Sequence, residues 1–282
     1  MMFDAGVEAT LLFMSSPLRV SQATSADYAA CARLFAELEV PEPPWSAERF
    51  SETVVPDAIV LRADDAVVAY GWARQRGDVF HVMHVAVDPL HRGRGAGRLV
   101  MTTLAARARA LGLSRWMLNT KPTNLVARAL YEQFGMSVAF ESSSVQLAWS
   151  DVERLEIAAG VHAREIGPSE DGAFEQARGL GVGEIDSFRK MGRIVFGAED
   201  EHGPVAFGAF DRDYPGVSPM RVKAPRFVRI LLDAVRPHVR EGQSYVRISV
   251  EGDPALEDAL TQAGGKVVLR VLRMHGDVPS PG

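Results

Sequence analysis

The pattern of hydrophobic and polar residues in the first half of the chain predicts strands and helices that follow one another. Strands are predicted at 18–23, 58–62, 67–74, 79–87, 115–119 and 137–149. Helices are predicted from 25 to about 39, at 47–53, from 98 to about 111 and at 125–134. This order of elements is typical of an α/β domain with a mixed sheet.

The second half repeats the first weakly, which predicts a duplicated domain. Short segments recur in the same order: 169–171 matches 25–27, 205–208 matches 68–71, 220–222 matches 83–85, and 259–260 matches 129–130. We therefore expect an N-terminal extension at 1–17, a first domain at 18–149, a linker at 150–160 with a helical stretch at 151–158, a second domain at 161–276 and a tail at 277–282.

Composition and charge narrow the class of protein. The chain has 282 residues, 47% of them hydrophobic, and a formal net charge of −5, so nucleic acid is not an expected partner. No apolar run is long enough to span a bilayer, so we expect no membrane partner. Cys31 is the single cysteine, and we expect it to be a packing residue in the core. A chain with so few cysteines fits a reducing cytoplasm. A local basic cluster favours a small anionic ligand: His91, Arg92, Arg94 and Arg98.

A loop rich in glycine connects the predicted strand at 79–87 to the helix that follows it. Gly93, Gly95 and Gly97 alternate with other residues, and glycine lets backbone N–H groups approach a ligand closely. A helix start adds unpaired N–H groups and a partial positive charge. The segment therefore predicts a phosphate site built from main chain, although a tight turn alone would also use these glycines. The dinucleotide and Walker patterns are both absent.

Two motifs in this region resemble those of the GCN5-related N-acetyltransferase (GNAT) superfamily. The first, [QR]-x-x-G-x-[GA], is matched at 92–97. The second, N-x-x-A-x-x-L-Y-x-x-x-G-[FM], is matched in full by Asn124, Ala127, Leu130, Tyr131, Gly135 and Met136. The resemblance covers about 18–149 and, in degenerate form, about 161–276. It implies an α/β (α+β mixed sheet) architecture of the tandem GNAT-like acyl-CoA N-acyltransferase fold.

The resemblance implies acetyl-CoA as cosubstrate and no metal. The pyrophosphate would sit on the N–H groups of 93–98, and the pantetheine arm would pair with the strand at 85–87 like an added strand. The implied cofactor-binding residues are Val85, Ala86, Val87, Arg92, Gly93, Arg94, Gly95, Ala96, Gly97, Arg98, Asn124 and Tyr131.

Asn124 and Tyr131 are seven residues apart on the predicted helix, so they share a face and can reach one ligand. The resemblance implies that Asn124 binds pantetheine and that Tyr131 protonates the departing thiolate. A phenol with a pKa of about 10 suits a leaving thiolate whose acid has a pKa near 8.5. Without the glycine loop, the favoured interpretation of Asn124 is a helix N-cap, and that of Tyr131 is a core aromatic residue.

The acceptor amine must lose a proton, so a general base is expected. His84, Glu141 and Asp78 are the candidates, and strand alternation puts His84 on one face with Val82 and Ala86. A strand histidine is more often structural. Some relatives carry a glutamate base where this chain has Asn119, and asparagine cannot act as a base.

Trp45, between Pro44 and Ser46, resembles the substrate loop of bacterial acetyltransferases that act on a ribosomal protein's N-terminal alanine. It would equally serve as a hydrophobic lid on the core. We take Trp45 and His84 as the candidate substrate-binding residues.

The second half departs from the first where the phosphate loop should stand. Residues 225–228 contain no glycine, and Thr261 replaces the tyrosine. This half is therefore expected to pack against the first and to cover the acceptor site rather than to hold the cofactor in the same way.

The sequence thus predicts a cytoplasmic acetyl-CoA-dependent N-acetyltransferase, monomeric or homodimeric. It would move the acetyl group to a primary amine by direct attack in a ternary complex. The acceptor is a small-molecule amine or, as an alternative, a protein or peptide N-terminus. From another class, the alternative is a catalytically silent acyl-CoA-binding or regulatory protein, in which loss of Tyr131 would be tolerated.

Overall fold

A computed structural model describes residues 17–41 and 43–280. Its strands are β1 Arg19–Gln22, β2 Ala58–Ala63, β3 Ala66–Arg76, β4 Val79–Val87, β5 Arg115–Thr120, β6 Ser137–Ala148, β7 His162–Glu165, β8 Ile194–Asp200, β9 Gly203–Asp211, β10 Gly216–Val222, β11 Tyr245–Glu251 and β12 Lys266–Asp277. Its helices are α1 Tyr28–Phe35, α2 Ala47–Arg49, α3 Ala96–Ala110, α4 Leu125–Gln133, α5 Asp171–Arg178, α6 Glu184–Lys190, α7 Val228–Val235 and α8 Pro254–Gln262.

These elements confirm the predicted mixed α/β architecture, and both halves follow the same course. Each half runs from a short edge strand through helices to an antiparallel meander and then through two strand–helix connections. The predicted helical stretch at 151–158 is wrong beyond one 3₁₀ turn, Val152–Arg154. Val152 and Leu155 are buried in the core of the second half. The backbone of Leu155 is extended, so the helix does not continue beyond this turn. The predicted extension at 1–17 falls, apart from Pro17, outside the described residues.

The described strands form one continuous 12-stranded sheet in which the two halves exchange their last strands. The order is β1-β2-β3-β4-β5-β12-β6-β11-β10-β9-β8-β7. The last strand of the second half, β12, lies antiparallel between β5 and β6. The last strand of the first half, β6, lies between β12 and β11.

The hydrophobic cores follow this exchange. Met274 of β12 is fully buried in the core under α3, whereas Val145 and Leu147 of β6 are buried in the core of the second half. Each half therefore completes its apolar core with a strand from the other half. Since burial of apolar surface is the dominant favourable contribution to folding, neither half has a complete core without its partner.

A gap interrupts the sheet between β4 and β5. These parallel strands pair only from Val79 opposite Arg115 to Val82 opposite Leu118. Beyond that point the two strands part, and residues 84–87 keep ladder partners on β3 alone. Backbone groups on the other edge of β4 are left facing the gap, where they need partners from a ligand or from water.

The described part of the chain contains no helix that is both long and apolar enough to cross a bilayer.

The exchange generates a stability prediction at Gly276 in β12. A Cβ there would lie 2.4 Å from the carbonyl oxygen of Gly135, which is backbone of the first half and cannot move aside cheaply. We predict that Gly276→Ala lowers the free energy of unfolding by about 1–3 kcal/mol, measured by urea denaturation. Gly172→Ala on α5 is the matched control, because nothing lies within 4 Å of its Cβ. Equal stability of the two variants would contradict the close approach.

Candidate functional site

The gap between β4 and β5 opens into a cavity of about 1150 Å³ that both halves line. The sequence-predicted residues that line it are Trp45, His84, Val85, Ala86, Val87, Arg92, Gly93, Gly95, Ala96, Gly97, Arg98, Asn124 and Tyr131. Arg94 is exposed and does not line the cavity. The fold thus brings residues from four separate segments of the first half to one site.

The glycine loop has the backbone geometry of an anion cradle. Gly93 and Gly95 have φ values of 72° and 83°, which L side chains rarely adopt, and open space surrounds their Cβ positions. Gly95 caps α3. Gly97 has another role, because its Cβ would lie 3.1 Å from Leu130, so it allows α4 to approach α3. Apart from bonds internal to helix α3, the described residues show no backbone hydrogen bond in standard geometry that the N–H groups of residues 93–98 donate. These donors and the positive end of the α3 dipole favour an anion at the cavity wall.

Arg92 and Arg98, which flank the glycine loop, already have partners within the protein. The Arg92 guanidinium lies 2.6 Å from the Glu37 carboxylate, and its Nε donates to the Val87 carbonyl. Arg98 donates to Gln133 and lies over the Phe134 ring. Both side chains therefore have protein partners, and the main chain supplies the unpaired donors at this wall.

Helix α4 presents Asn124 and Tyr131 to the same cavity. The Asn124 side-chain oxygen accepts from the Ala127 N–H at 3.1 Å, so this residue is the N-cap of α4 and still lines the cavity through its exposed side. Tyr131 is 7% exposed, and burial raises its pKa to about 12. Among the described residues its hydroxyl has no hydrogen-bond partner. A protonated phenol is thereby left available to a ligand.

A β-bulge in β4 places His84 and Val82 on opposite faces of the sheet, which differs from the sequence prediction. Trp72 pairs with His84 but the next residue, Ala73, pairs with Val82, so Met83 is the extra residue of β4. The bulge reverses the alternation. His84 therefore lies on the face of Ala86, next to α1, whereas Val82 packs under α3 on the opposite face. The prediction that His84 and Val82 share a face is wrong for this reason.

Aromatic rings surround His84. The ring centroids of Phe35, Trp45 and Trp72 lie 5.3, 5.1 and 5.1 Å from the imidazole centroid. Tyr70 contributes a hydroxyl 3.1 Å from Nδ1. Burial lowers the pKa of His84 to about 3, because no carboxylate offsets the loss of water around the imidazolium. The imidazole is therefore neutral at physiological pH and a weak base.

Trp45 is fixed at the cavity by its neighbours. Ser46 caps α2 by accepting from the Arg49 N–H, and the Tyr28 hydroxyl donates to the Trp45 carbonyl at 2.9 Å. The indole packs edge-on against Phe35 and Trp72. Trp45 thus packs on the core under α1 and also forms part of the cavity wall, and its role in substrate binding stays a prediction.

The two carboxylate candidates for a base lie elsewhere. Asp78 is paired with Arg115 at the other end of β4, and Glu141 lies 2.9 Å from Arg270 on an exposed part of the sheet. Neither lines the cavity. The structure thus leaves His84 as the one of the three that reaches the site.

The second half supplies cavity residues that the sequence did not reveal. They are Tyr214, Gly216, Val217, Ser218, Arg247, Ser249, Glu251, Leu269 and Val271. Tyr70, Phe35 and Trp72 around His84 were also missed, although alternation on the predicted strand at 67–74 places Tyr70 and Trp72 on one face. The residues from the second half carry no local signal, because the strand exchange alone brings them to the first half.

A buried ionic network joins the halves along this wall. Arg273 of β12 donates to Asn119 of β5 at 2.7 Å and to Glu251 of β11 at 2.9 Å. Arg221 pairs with the other oxygen of Glu251. Burial alone would raise the pKa of Glu251, but Arg273 and Arg221 outweigh it and the pKa is lowered. Glu251 is therefore an anion with two cationic partners, and Asn119 serves as an acceptor for Arg273.

The corresponding region of the second half has no cradle. A 3₁₀ turn, Pro225–Phe227, leads into α7 without glycine. Asp253 caps α8 as Asn124 caps α4, and the residue seven positions after each cap is Tyr131 in α4 and the fully buried Leu260 in α8. The prediction that Thr261 stands at the position of Tyr131 is therefore wrong by one residue, and Thr261 bonds to the backbone of its own helix.

The burial of His84 predicts a pH dependence of stability. In the unfolded chain His84 binds a proton below its ordinary pKa of about 6.5, whereas in the folded chain it does so only near 3. Stability contributed by the neutral imidazole is therefore complete above about pH 6.5 and is lost as pH falls towards 3. We predict that His84→Gln reduces the slope of unfolding free energy against pH between 4 and 6 by about 1.4 kcal/mol per unit.

Urea denaturation at each pH provides the measurement. The control is His202→Gln, because the His202 side chain is 75% exposed and the slope should remain that of the wild type. A slope unchanged in His84→Gln would contradict the burial of the neutral ring.

Comparison with known proteins places this geometry in a family. Residues 26–136 match the model of the Acetyltransferase (GNAT) family. The chain is 29% identical over 128 residues to an N-alpha-acetyltransferase RimI of Mycobacterium tuberculosis, covering 43% of this chain and 79% of the relative. It is also 29% identical over 128 residues to an uncharacterized protein of Mycobacterium leprae, of which the match spans 35%.

Two solved structures share the fold of the whole chain. A GCN5-related N-acetyltransferase from Sphaerobacter thermophilus has a TM-score of 0.64 at 19% identity, and the match covers 95% of this chain and 98% of that one. A tandem GNAT protein from the clavulanic acid biosynthesis pathway has a TM-score of 0.63 at 15% identity, covering 94% and 100%. The family match and these folds agree with the motifs at 92–97 and 124–136: residues 26–136 form a domain of the Acetyltransferase (GNAT) family, and the chain as a whole shares the fold of tandem GNAT proteins.

Proposed function

We propose that the chain transfers an acetyl group from acetyl-CoA to a primary amine within a ternary complex in the shared cavity. The observation that carries this proposal is the unpaired N–H groups of residues 93–98, which lie on the same cavity as the unpaired Tyr131 hydroxyl. The backbone N–H groups suit a pyrophosphate, and the Tyr131 hydroxyl suits a leaving thiolate. Coenzyme A brings both groups in one molecule.

The residues present fit the cofactor. The N–H groups of 93–98 would hold the pyrophosphate, and Gly93 and Gly95 leave the space that side chains would fill. The unpaired edge of β4 at 85–87 would pair with the pantetheine amides as an added strand. Asn124 keeps its amide N–H₂ for the same arm, because the cap uses only its oxygen. Bound acetyl-CoA would supply an activated acyl carbon.

Tyr131 is proposed as the general acid. The amine nitrogen forms a bond to the carbonyl carbon, the C–S bond breaks, and sulfur keeps the bonding pair and takes the phenolic proton. The amine loses its own proton to water, and water returns a proton to the Tyr131 phenolate. Because burial raises the pKa of Tyr131 to about 12, the phenol is protonated at every physiological pH and is ready to donate.

The acceptor is proposed to be a small-molecule amine, with a peptide N-terminus as the second candidate. Side chains of the second half, among them Ser218, Ser249 and Glu251, form part of the acceptor wall and enclose the space beside His84. The second candidate is supported by the similarity to an N-alpha-acetyltransferase and by Trp45, which lines the cavity. Release of free thiol from acetyl-CoA over a panel of small amines and peptides separates the two.

A silent acyl-CoA-binding protein is the alternative from another class. The retained, unpaired Tyr131 hydroxyl favours the enzyme, because a binding module has no use for a buried proton donor. Tight binding of acetyl-CoA by calorimetry with no acceptor-dependent thiol release for any amine or peptide of the panel would favour the silent protein instead.

Tyr131→Phe tests the proposed general acid. The ring is kept and the proton is removed, so we predict that kcat falls by about 100-fold while the affinity for acetyl-CoA stays within about threefold. Steady-state thiol release and calorimetry are the two measurements. Tyr245→Phe is the control, because Tyr245 does not line this cavity, and its kcat should be that of the wild type. A kcat of wild-type size in Tyr131→Phe would remove the proposed role.

Gly95→Trp tests the cradle. The indole would occupy the open space beside the N–H groups, so we predict at least 100-fold weaker binding of coenzyme A by calorimetry. Gly112→Trp is the matched control, because Gly112 has a similar φ of 72°, equally open space and a place at the other end of α3, away from the cavity. Intact binding in Gly95→Trp, or equal loss in both variants, would contradict the proposal.

A further inference from the structure

The hydrogen bond between Tyr70 and His84 decides which imidazole nitrogen carries the proton. Tyr70 is fully buried, and its hydroxyl has one hydrogen-bond partner among the described residues, the Nδ1 atom of His84 at 3.1 Å. Burial raises the pKa of Tyr70 well above its ordinary value, so the phenol keeps its proton.

Two arrangements of protons would satisfy this contact, and they differ in cost. If Nδ1 carried the hydrogen and donated to Tyr70, the Tyr70 O–H would be buried without an acceptor, which is strongly unfavourable. If Tyr70 donates to Nδ1, its hydroxyl is satisfied and the imidazole hydrogen must stand on Nε2. The second arrangement is therefore the stable one.

The Nε2 atom then has a defined chemical character. His84 lines the cavity beside the unpaired edge of β4, and its Nε2 is absent from the buried, unpartnered side-chain atoms of the described residues. A neutral imidazole with hydrogen on Nε2 can donate a hydrogen bond into the cavity but has no free nitrogen to take a proton there. The aromatic rings of Phe35, Trp45 and Trp72 hold the imidazole in place and keep it uncharged.

We infer that His84 is a hydrogen-bond donor to the carbonyl oxygen of the acetyl group rather than the base for the amine, and that Tyr70 is the positioning residue that fixes its tautomer. This inference rests on the proposed acetyl transfer. As the amine nitrogen bonds to the carbonyl carbon, the π pair moves to oxygen, and the Nε2–H bond stabilises that charge without transfer of a proton. The pair returns when the C–S bond breaks, and the amine proton goes to water.

The tautomer is tested without any measurement of activity. In protein labelled with ¹⁵N-histidine, the His84 resonances are assigned by their loss in His84→Gln. We expect a neutral ring with hydrogen on Nε2 and no titration between pH 5 and 8. Hydrogen on Nδ1, or an imidazolium that titrates in this range, would overturn the inference. In Tyr70→Phe we expect a mixture of tautomers, whereas an unchanged pure Nε2–H form would remove the positioning role of Tyr70.

The catalytic role is tested by a pair of substitutions that separate a donor from a base. A glutamine amide retains an N–H donor but has no basic nitrogen, whereas phenylalanine has neither. We expect kcat of His84→Gln to stay within about tenfold of the wild type and kcat of His84→Phe to fall by at least 100-fold, as for loss of one oxyanion donor. Affinity for coenzyme A should be unchanged in both, which separates catalysis from a folding defect.

The pH profile of kcat and the activity of the wild-type protein complete the test. The pH profile of kcat in His84→Gln should keep the acidic limb of the wild type, since no histidine proton is involved. Equal losses in the two variants, or an acidic limb that disappears in His84→Gln, would overturn the donor role and restore the base. If wild-type protein shows no acetyl transfer, the proposed function fails, and the tautomer measurement still decides the state of His84 independently.

Discussion

The pairing of β12 with β5 and β6 is the constraint on which the rest of the structure depends. It joins both halves into one hydrogen-bonded sheet. It also places Met274 of the second half in the core of the first, and Val145 of the first half in the core of the second. Because every strand of the exchange has a partner on both sides, no edge is left at the junction, and edges are where sheets are vulnerable to wrong association. The same pairing carries Arg273 across to Asn119 and Glu251, so the ionic network is a consequence of strand order.

The cavity results from a second feature of the sheet, the parting of β4 from β5. Parallel strands that stop pairing after Val82 leave one edge of β4 unsatisfied, and the glycine loop that follows adds further unpaired donors. Both sets of backbone groups need partners, which a ligand with amides and a pyrophosphate can provide. The bulge at Met83 turns His84 towards the opposite face, next to α1. In the proposed reaction, this one strand serves the pantetheine arm with its backbone and the acetyl carbonyl with the His84 side chain.

The two halves share a fold and differ in chemistry. The second half has the Pro225–Phe227 turn where the first has its glycine loop, and Leu260 where the first has Tyr131. Arg221 and Glu251 form an ion pair between β10 and β11. Ser218 and Ser249 of the second half line the same cavity as Trp45 and His84. The two halves can differ in chemistry while sharing a fold, because the hydrophobic core that determines the fold uses other positions.

Sequence by itself determined most of the elements, their repeated order in the two halves and many of the residues that line the cavity, because these depend on local signals: glycines at a strand–helix turn, a helix face of Asn124 and Tyr131, and repeated hydrophobic patterns. Only the tertiary structure decided the face of His84, since one inserted residue in β4 reverses the alternation that a sequence reader must assume. It alone decided that Glu251, Ser249 and Ser218 reach the site, because strand exchange is set by long-range pairing that leaves no local trace. It also turned Arg92 towards Glu37, since the partner of a surface charge depends on which elements the fold brings together.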